Sequence, residues 1–96
     1  MRMMAVIRIP VDKGNKSLKD GSIQQHIQRV MEQIKPESAY FYLEGSRRTM
    51  RAVYECKNSN DMVPAFEPLM LNLDAEIELL PVMNAEELAA GLKALG

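Results

Sequence analysis

Six side chains carry most of the chemistry this sequence offers: Arg8, Tyr40, Tyr42, Arg51, Glu55 and Glu78. A guanidinium is a planar fork of N–H donors that fits a carboxylate or phosphate, and a glutamate can take up and return a proton. Arg8 with Glu78 or Glu55 is therefore a set that could hold an anionic group while a carboxylate moves a proton. The plainer alternative is a structural ion pair, since such networks also perturb pKa values without function. Tyr40 and Tyr42 can stack on or hydrogen-bond a planar ligand, and tyrosines equally fill protein interfaces.

The remaining reactive residues stand alone. His26, the single histidine, falls at the margin of a helical apolar stripe; with no second ligand it defines no metal or haem site. Cys56 is the single cysteine, which excludes an internal disulfide and a cysteine-rich zinc cluster, and it reads as an inert thiol. Gly14-Asn15-Lys16-Ser17 lacks the glycines a phosphate loop needs around its lysine. Arg47, Arg48 and Arg51 form the one local basic cluster, with Arg47 and Arg48 on a solvated hairpin tip. No cofactor is called for by these residues.

These side chains must be positioned by a small fold. Ninety-six residues with 47% hydrophobic content and a net charge of −1 suit a single domain over residues 1–96. A chain of this size buries roughly 60 to 70% of its unfolded surface, which leaves room for a partner subunit to help. The longest apolar run falls short of the roughly 20 residues of a membrane span, and the early Arg2 and Arg8 break any signal-peptide core, so a cytoplasmic location without membrane contact is expected. A pI near 5.8 gives no basic footprint for nucleic acid.

Periodicity then assigns the elements. Met3 to Val11 alternates as a strand closed by Pro10, and Asp12 to Gly21, polar and punctuated by two glycines, reads as a mobile surface loop. Ser22 and Gln25 make a capping box ahead of the stripe Ile23, Ile27, Val30, Met31 and Ile34, and Pro36 ends that helix. Ala39 to Glu44 and Thr49 to Cys56 form a hairpin around a four-residue turn. Pairing Glu44 with Thr49 puts Tyr42 opposite Arg51, Tyr40 opposite Val53, Leu43 opposite Met50 and Phe41 opposite Ala52. Asn60 caps a helix from about Asp61 to Leu71 with the stripe Met62, Phe66, Leu69, Met70 and Leu73, and Pro68 should kink or restart it. Glu76 to Met83 alternates as an edge strand with Pro81, and Asn84 with Glu87 caps a last helix bearing Leu88, Leu92 and Leu95.

The order strand, helix, strand, strand, helix, strand is the α+β, ferredoxin-like βαββαβ sandwich with an extra C-terminal helix. Its antiparallel four-stranded sheet places the first and third strands in the middle. With both main helices on the Ile7, Phe41, Met50 and Ile77 parity, the other parity is open. It presents Met4, Val6, Arg8, Tyr40, Tyr42, Glu44, Arg51, Val53, Glu55, Glu76, Glu78 and Leu80, a mixed polar and aromatic face of the kind that meets something.

The stretch Phe66-Glu67-Pro68-Leu69, then Leu73 through Met83, then Asn84-Ala85-Glu86-Glu87-Leu88 resembles the C-terminal half of small proteins of the dimeric α/β-barrel superfamily. The local resemblance covers about the last third of the chain and carries no catalytic signature. It implies a homodimer in which two open sheet faces pack into a barrel. Members of that superfamily include muconolactone isomerase, cofactor-independent monooxygenases and haem-binding proteins.

Three functions remain in view. One is a dimeric barrel that binds, or binds and transforms, a small aromatic or polyketide-like molecule without metal. Another is a structural or regulatory dimerisation module whose open face is used up by the partner. The third, an RNA-binding module, shares the element order, but Arg48 to Glu55 lacks the aromatic stacking positions that such a strand needs.

Overall fold

The computed structural model describes residues 1–96. Met3, Ala5, Ile7 and Ile9 alternate with Met4, Val6 and Arg8, and this period of two produces β1 (Arg2–Ile9) with one wholly apolar face. Pro10, which has no N–H for the ladder, ends the strand. The chain continues through α1 (Val11–Lys19), α2 (Ile23–Ile34), β2 (Ser38–Glu44), β3 (Arg47–Glu55), a 3-10 turn at Ser59–Asp61, α3 (Met62–Leu73), β4 (Glu76–Pro81) and α4 (Ala85–Lys93). All four strands form one antiparallel sheet in the order β2-β3-β1-β4. This is the expected α+β, ferredoxin-like architecture with β1 and β3 central.

The Asp12 to Gly21 segment is a correction: it is mostly helix, not loop. Asp12 in the first turn of α1 and Lys16 and Lys19 in the last complement the helix dipole. The buried Ser17 hydroxyl donates to the Gly14 carbonyl at 3.1 Å, so it is satisfied within the helix. Gly14 is no breaker but a close approach: a Cβ there would lie 2.7 Å from Arg48 Nη1. Gly21, at φ 81°, supplies the actual turn between α1 and α2.

Capping departs from expectation at two of three sites. Ser22 has helical dihedrals and makes no cap bond; instead Asp20 Oδ1 accepts the Ser22 N–H at 2.8 Å. Asn60 lies inside the 3-10 turn, and Asp61 precedes α3 with no side-chain cap. The third site holds: Asn84 Oδ1 accepts the Glu87 N–H at 2.8 Å and Glu87 Oε1 accepts the Asn84 N–H at 3.0 Å. Nor does Pro68 restart α3, which runs through it as one element. The carbonyl of Pro64 loses its intrahelical donor there, a loss that water can make good because Pro64 is exposed.

The hairpin is tighter than a four-residue turn. Only Gly45 and Ser46 lie outside the ladder, and Gly45 at φ 62° provides the left-handed first position that matches the strand twist. The register moves by two residues: Glu44 faces Arg47, Tyr42 faces Thr49, Phe41 faces Met50 and Tyr40 faces Arg51. A shift of two preserves every face assignment, because side chains alternate with that same period.

Packing places α2 and α3 on the apolar parity. Val30, Ile34, Phe66, Leu69 and Leu73 bury against Met3, Ala5, Ile7, Met50, Ala52 and Tyr54. Phe66 meets Tyr54 edge to face, with ring centroids 6.1 Å apart at 62°. The Tyr54 ring is 5% exposed, its hydroxyl has no hydrogen-bond partner, and burial with the nearby Cys56 thiol pushes its pKa up to about 12. By contrast α4 buries none of its residues. The molecule is 55 Å long, with a radius of gyration of 15.2 Å; a compact chain of this length has about 12.5 Å.

Candidate functional site

The open face divides into two regions. At one end Arg8 Nε donates to Glu44 Oε1 at 2.9 Å and Arg8 Nη1 to Glu78 Oε1 at 3.2 Å. Arg47 Nη2 shares the same Glu44 oxygen at 3.3 Å, and Arg47 Nη1 reaches Glu76 Oε2 at 2.9 Å. Two arginines and three glutamates thus form one network touching all four strands, with a net charge of −1. Thr49, which pairs with Arg8 on the open face, is only 3% exposed. Hydrogen bonds to Glu78 and then Glu44 hold the Arg8 guanidinium above its usual pKa, so it stays charged.

The second region is centred on Arg51. Its Nε donates to the Tyr42 hydroxyl at 2.6 Å, its Nη1 approaches Met4 Sδ at 3.9 Å, and its guanidinium carbon lies 5.9 Å from the Tyr42 ring centroid. No carboxylate lies within 4 Å of it, whereas Arg2, Arg8 and Arg47 each hold two. Tyr40 stands opposite on β2 and is 71% exposed. Val6, in register with both Arg51 and Glu78, joins the two regions and is fully buried by its neighbours.

Of the six residues read from sequence, the fold brings Arg8 to Glu78 and Arg51 to Tyr42, with Tyr40 alongside. Glu55 is elsewhere. It sits opposite Arg2 at the far end of β1 and binds the N-terminal ammonium at 2.7 Å, which holds its carboxyl below the usual range. It does not pair with Arg8. Arg47 was hidden from sequence reasoning, because the four-residue turn leaves it on a solvated tip while the two-residue turn draws it onto the sheet.

Two solitary residues also have defined surroundings. The Cys56 thiol is half-buried and donates to the Asn58 carbonyl at 3.5 Å, and His26 is partly buried on α2. No three His, Cys, Asp or Glu side chains gather as a metal ion would require. No helix is long and apolar enough to cross a membrane.

Behind the sheet lies a feature without any single sequence signal. A cavity of about 430 Å³ opens between α2 and the β2–β3 hairpin, with eleven of its thirteen lining residues hydrophobic. It exists because α2 does not cover edge strand β2, where Phe41 and Leu43 remain 55% and 69% exposed. Each is core by parity, and only the helix position leaves them open.

Comparison with family models, curated proteins and solved structures finds no match to this chain.

Proposed function

We propose that this chain is a small-molecule-binding domain that acts as a homodimer, its two open sheet faces packed into a barrel as in the dimeric α/β-barrel superfamily that its last third resembles. The ligand class is an aromatic or polyketide-like molecule bearing an anionic group. The observation that carries this reading is Arg51, a guanidinium on the open face paired with a tyrosine rather than a carboxylate. Arg8 already has two carboxylates, so Arg51 takes the anion. Tyr40 and Tyr42 supply ring faces beside it, and the partner's face excludes water, which strengthens the charged contact.

The competing reading, a dimerisation module with a filled interior, is favoured by the internal pairing of both arginines in the Arg8 network. Binding decides between them. Benzoate, salicylate and 2-naphthoate, titrated at neutral pH and followed by thermal shift and calorimetry, should include at least one binder. Arg51→Gln should weaken that binder by about tenfold or more, consistent with losing one charged hydrogen bond worth roughly 1.5 kcal/mol. Its circular dichroism should be unchanged. Absence of binding across the panel, or equal binding by the variant, overturns the ligand assignment.

A further inference from the structure

We propose that the cavity between α2 and the β2–β3 hairpin binds an unbranched aliphatic carboxylate, its headgroup held by Arg48 and its chain lying along α2. This site is on the other side of the sheet from the open face, and it stands whether or not the chain dimerises.

The cavity is polarised. On β3, Arg48 and Met50 share the helix-side parity; Arg48 is in register with Ile9 and Leu43, and Met50 with Ile7 and Phe41. Ile9 is the last residue of β1, so the cavity has a charge on its outer row and only apolar side chains on the next. No Asp or Glu lines it. Among the lining residues with polar atoms, Thr49 donates its hydroxyl to the Arg47 carbonyl at 3.1 Å and the Tyr42 hydroxyl accepts from Arg51 at 2.6 Å. That leaves Arg48.

A charge on the helix-side parity costs free energy unless it is paired. Arg2, Arg8 and Arg47 each hold two carboxylates, whereas half-buried Arg48 makes a single bond, from Nη1 to the neutral amide oxygen Asn15 Oδ1 at 3.0 Å. A guanidinium has five N–H donors, so four remain free. Gly14 keeps the seat open: a Cβ there would lie 2.7 Å from Arg48 Nη1, and the glycine stands inside α1, where it weakens the helix relative to alanine. Two local rules, apolar parity and helix propensity, are thus broken at one spot to place an unpaired cation, which is the pattern of a functional site.

Charge complementarity fixes the occupant as an anion at one end and apolar beyond it. A carboxylate matches the arginine fork with two parallel bonds. The apolar part follows the trough: Ile23, Ile27 and Val30 make a row about 10 Å long on α2, across from Phe41 and Leu43 on β2. A volume of about 430 Å³ falls within the roughly 300 to 1,000 Å³ of small-ligand sites.

Decanoate is the probe. Binding is followed by calorimetry on the wild type and by the fluorescence of Phe41→Trp, which puts a single tryptophan on the cavity wall of a chain that has none. The expected result is saturable binding of one decanoate per chain, with emission moving to the blue. Affinity should rise about fourfold per methylene from hexanoate through octanoate to decanoate, as about 0.8 kcal/mol per buried CH₂ gives. Arg48→Gln should weaken decanoate at least tenfold, and decylammonium, with the same chain and the opposite charge, should not displace it. Gly14→Ala should also weaken decanoate while Tm holds or rises, a split that a purely structural Arg48 would not produce. Absence of saturable binding, or equal binding by Arg48→Gln and wild type, overturns the proposal. Loss in Arg51→Gln but not in Arg48→Gln overturns it as well, by moving the ligand to the open face.

Discussion

Tyr54→Phe should make this protein more stable. The phenol ring is 5% exposed and packs edge to face on Phe66, contacts that phenylalanine keeps in full. The hydroxyl has no partner, and an unsatisfied buried polar group costs about 1–3 kcal/mol. At the lower end, about 1 kcal/mol is recovered. For a domain of this length the unfolding entropy converts that into a rise in Tm of about 5 °C.

Alkaline pH provides an independent reading of the same group. Its folded pKa, about 12, lies above the ordinary value of 10, so between these limits the unfolded chain loses the proton first. The wild type is therefore stabilised below pH 10 and loses that contribution as pH rises toward 12. Tyr54→Phe should lose less stability over that window. Thermal unfolding by circular dichroism at neutral pH and urea melts across the alkaline range measure both effects. A variant less stable than wild type by 1 kcal/mol or more would refute the reasoning, since it would mean the hydroxyl is satisfied.

Glu44→Gln removes the negative charge that Arg8 and Arg47 share, leaving each arginine one carboxylate. The expected loss is about 1 kcal/mol in urea melts at low salt, shrinking at high salt because these side chains are partly exposed. Equal loss at both ionic strengths would contradict an electrostatic role. Glu55→Gln tests the bond to the N-terminal ammonium: a carboxyl with a lowered folded pKa adds stability at neutral pH and loses it as pH falls through that value. The variant should show a shallower acid decline than wild type, and identical declines would exclude the pairing.

Periodicity made the sheet legible, and physical asymmetries explain where it failed. Face assignments on β1 to β4 survived a wrong hairpin register because the error was two residues, a whole period, rather than one. The Asp12 to Gly21 helix was hidden because its cues were polar and Gly14 looks like punctuation; its reason, the approach of Arg48, is tertiary. Capping was readable only at Asn84, where both halves of the reciprocal pair form; at Ser22 a neighbour, Asp20, takes over the bond. Arg8 with Glu78 followed from strand parity. That Arg8 is saturated and Arg51 is not depends on side chains crossing β3 and β1 to reach Glu44 and Glu76, which no local spacing encodes. The groove beside Phe41 arises from where α2 sits across the sheet, a property of packing rather than of any one segment.

Native mass spectrometry of gently purified protein at micromolar concentration tests the central claim most directly. The expected spectrum is a species of twice 10.9 kDa, with any small acidic passenger visible as added mass. A monomer at that concentration would contradict the account, because the open face would be left without a second copy to cover it.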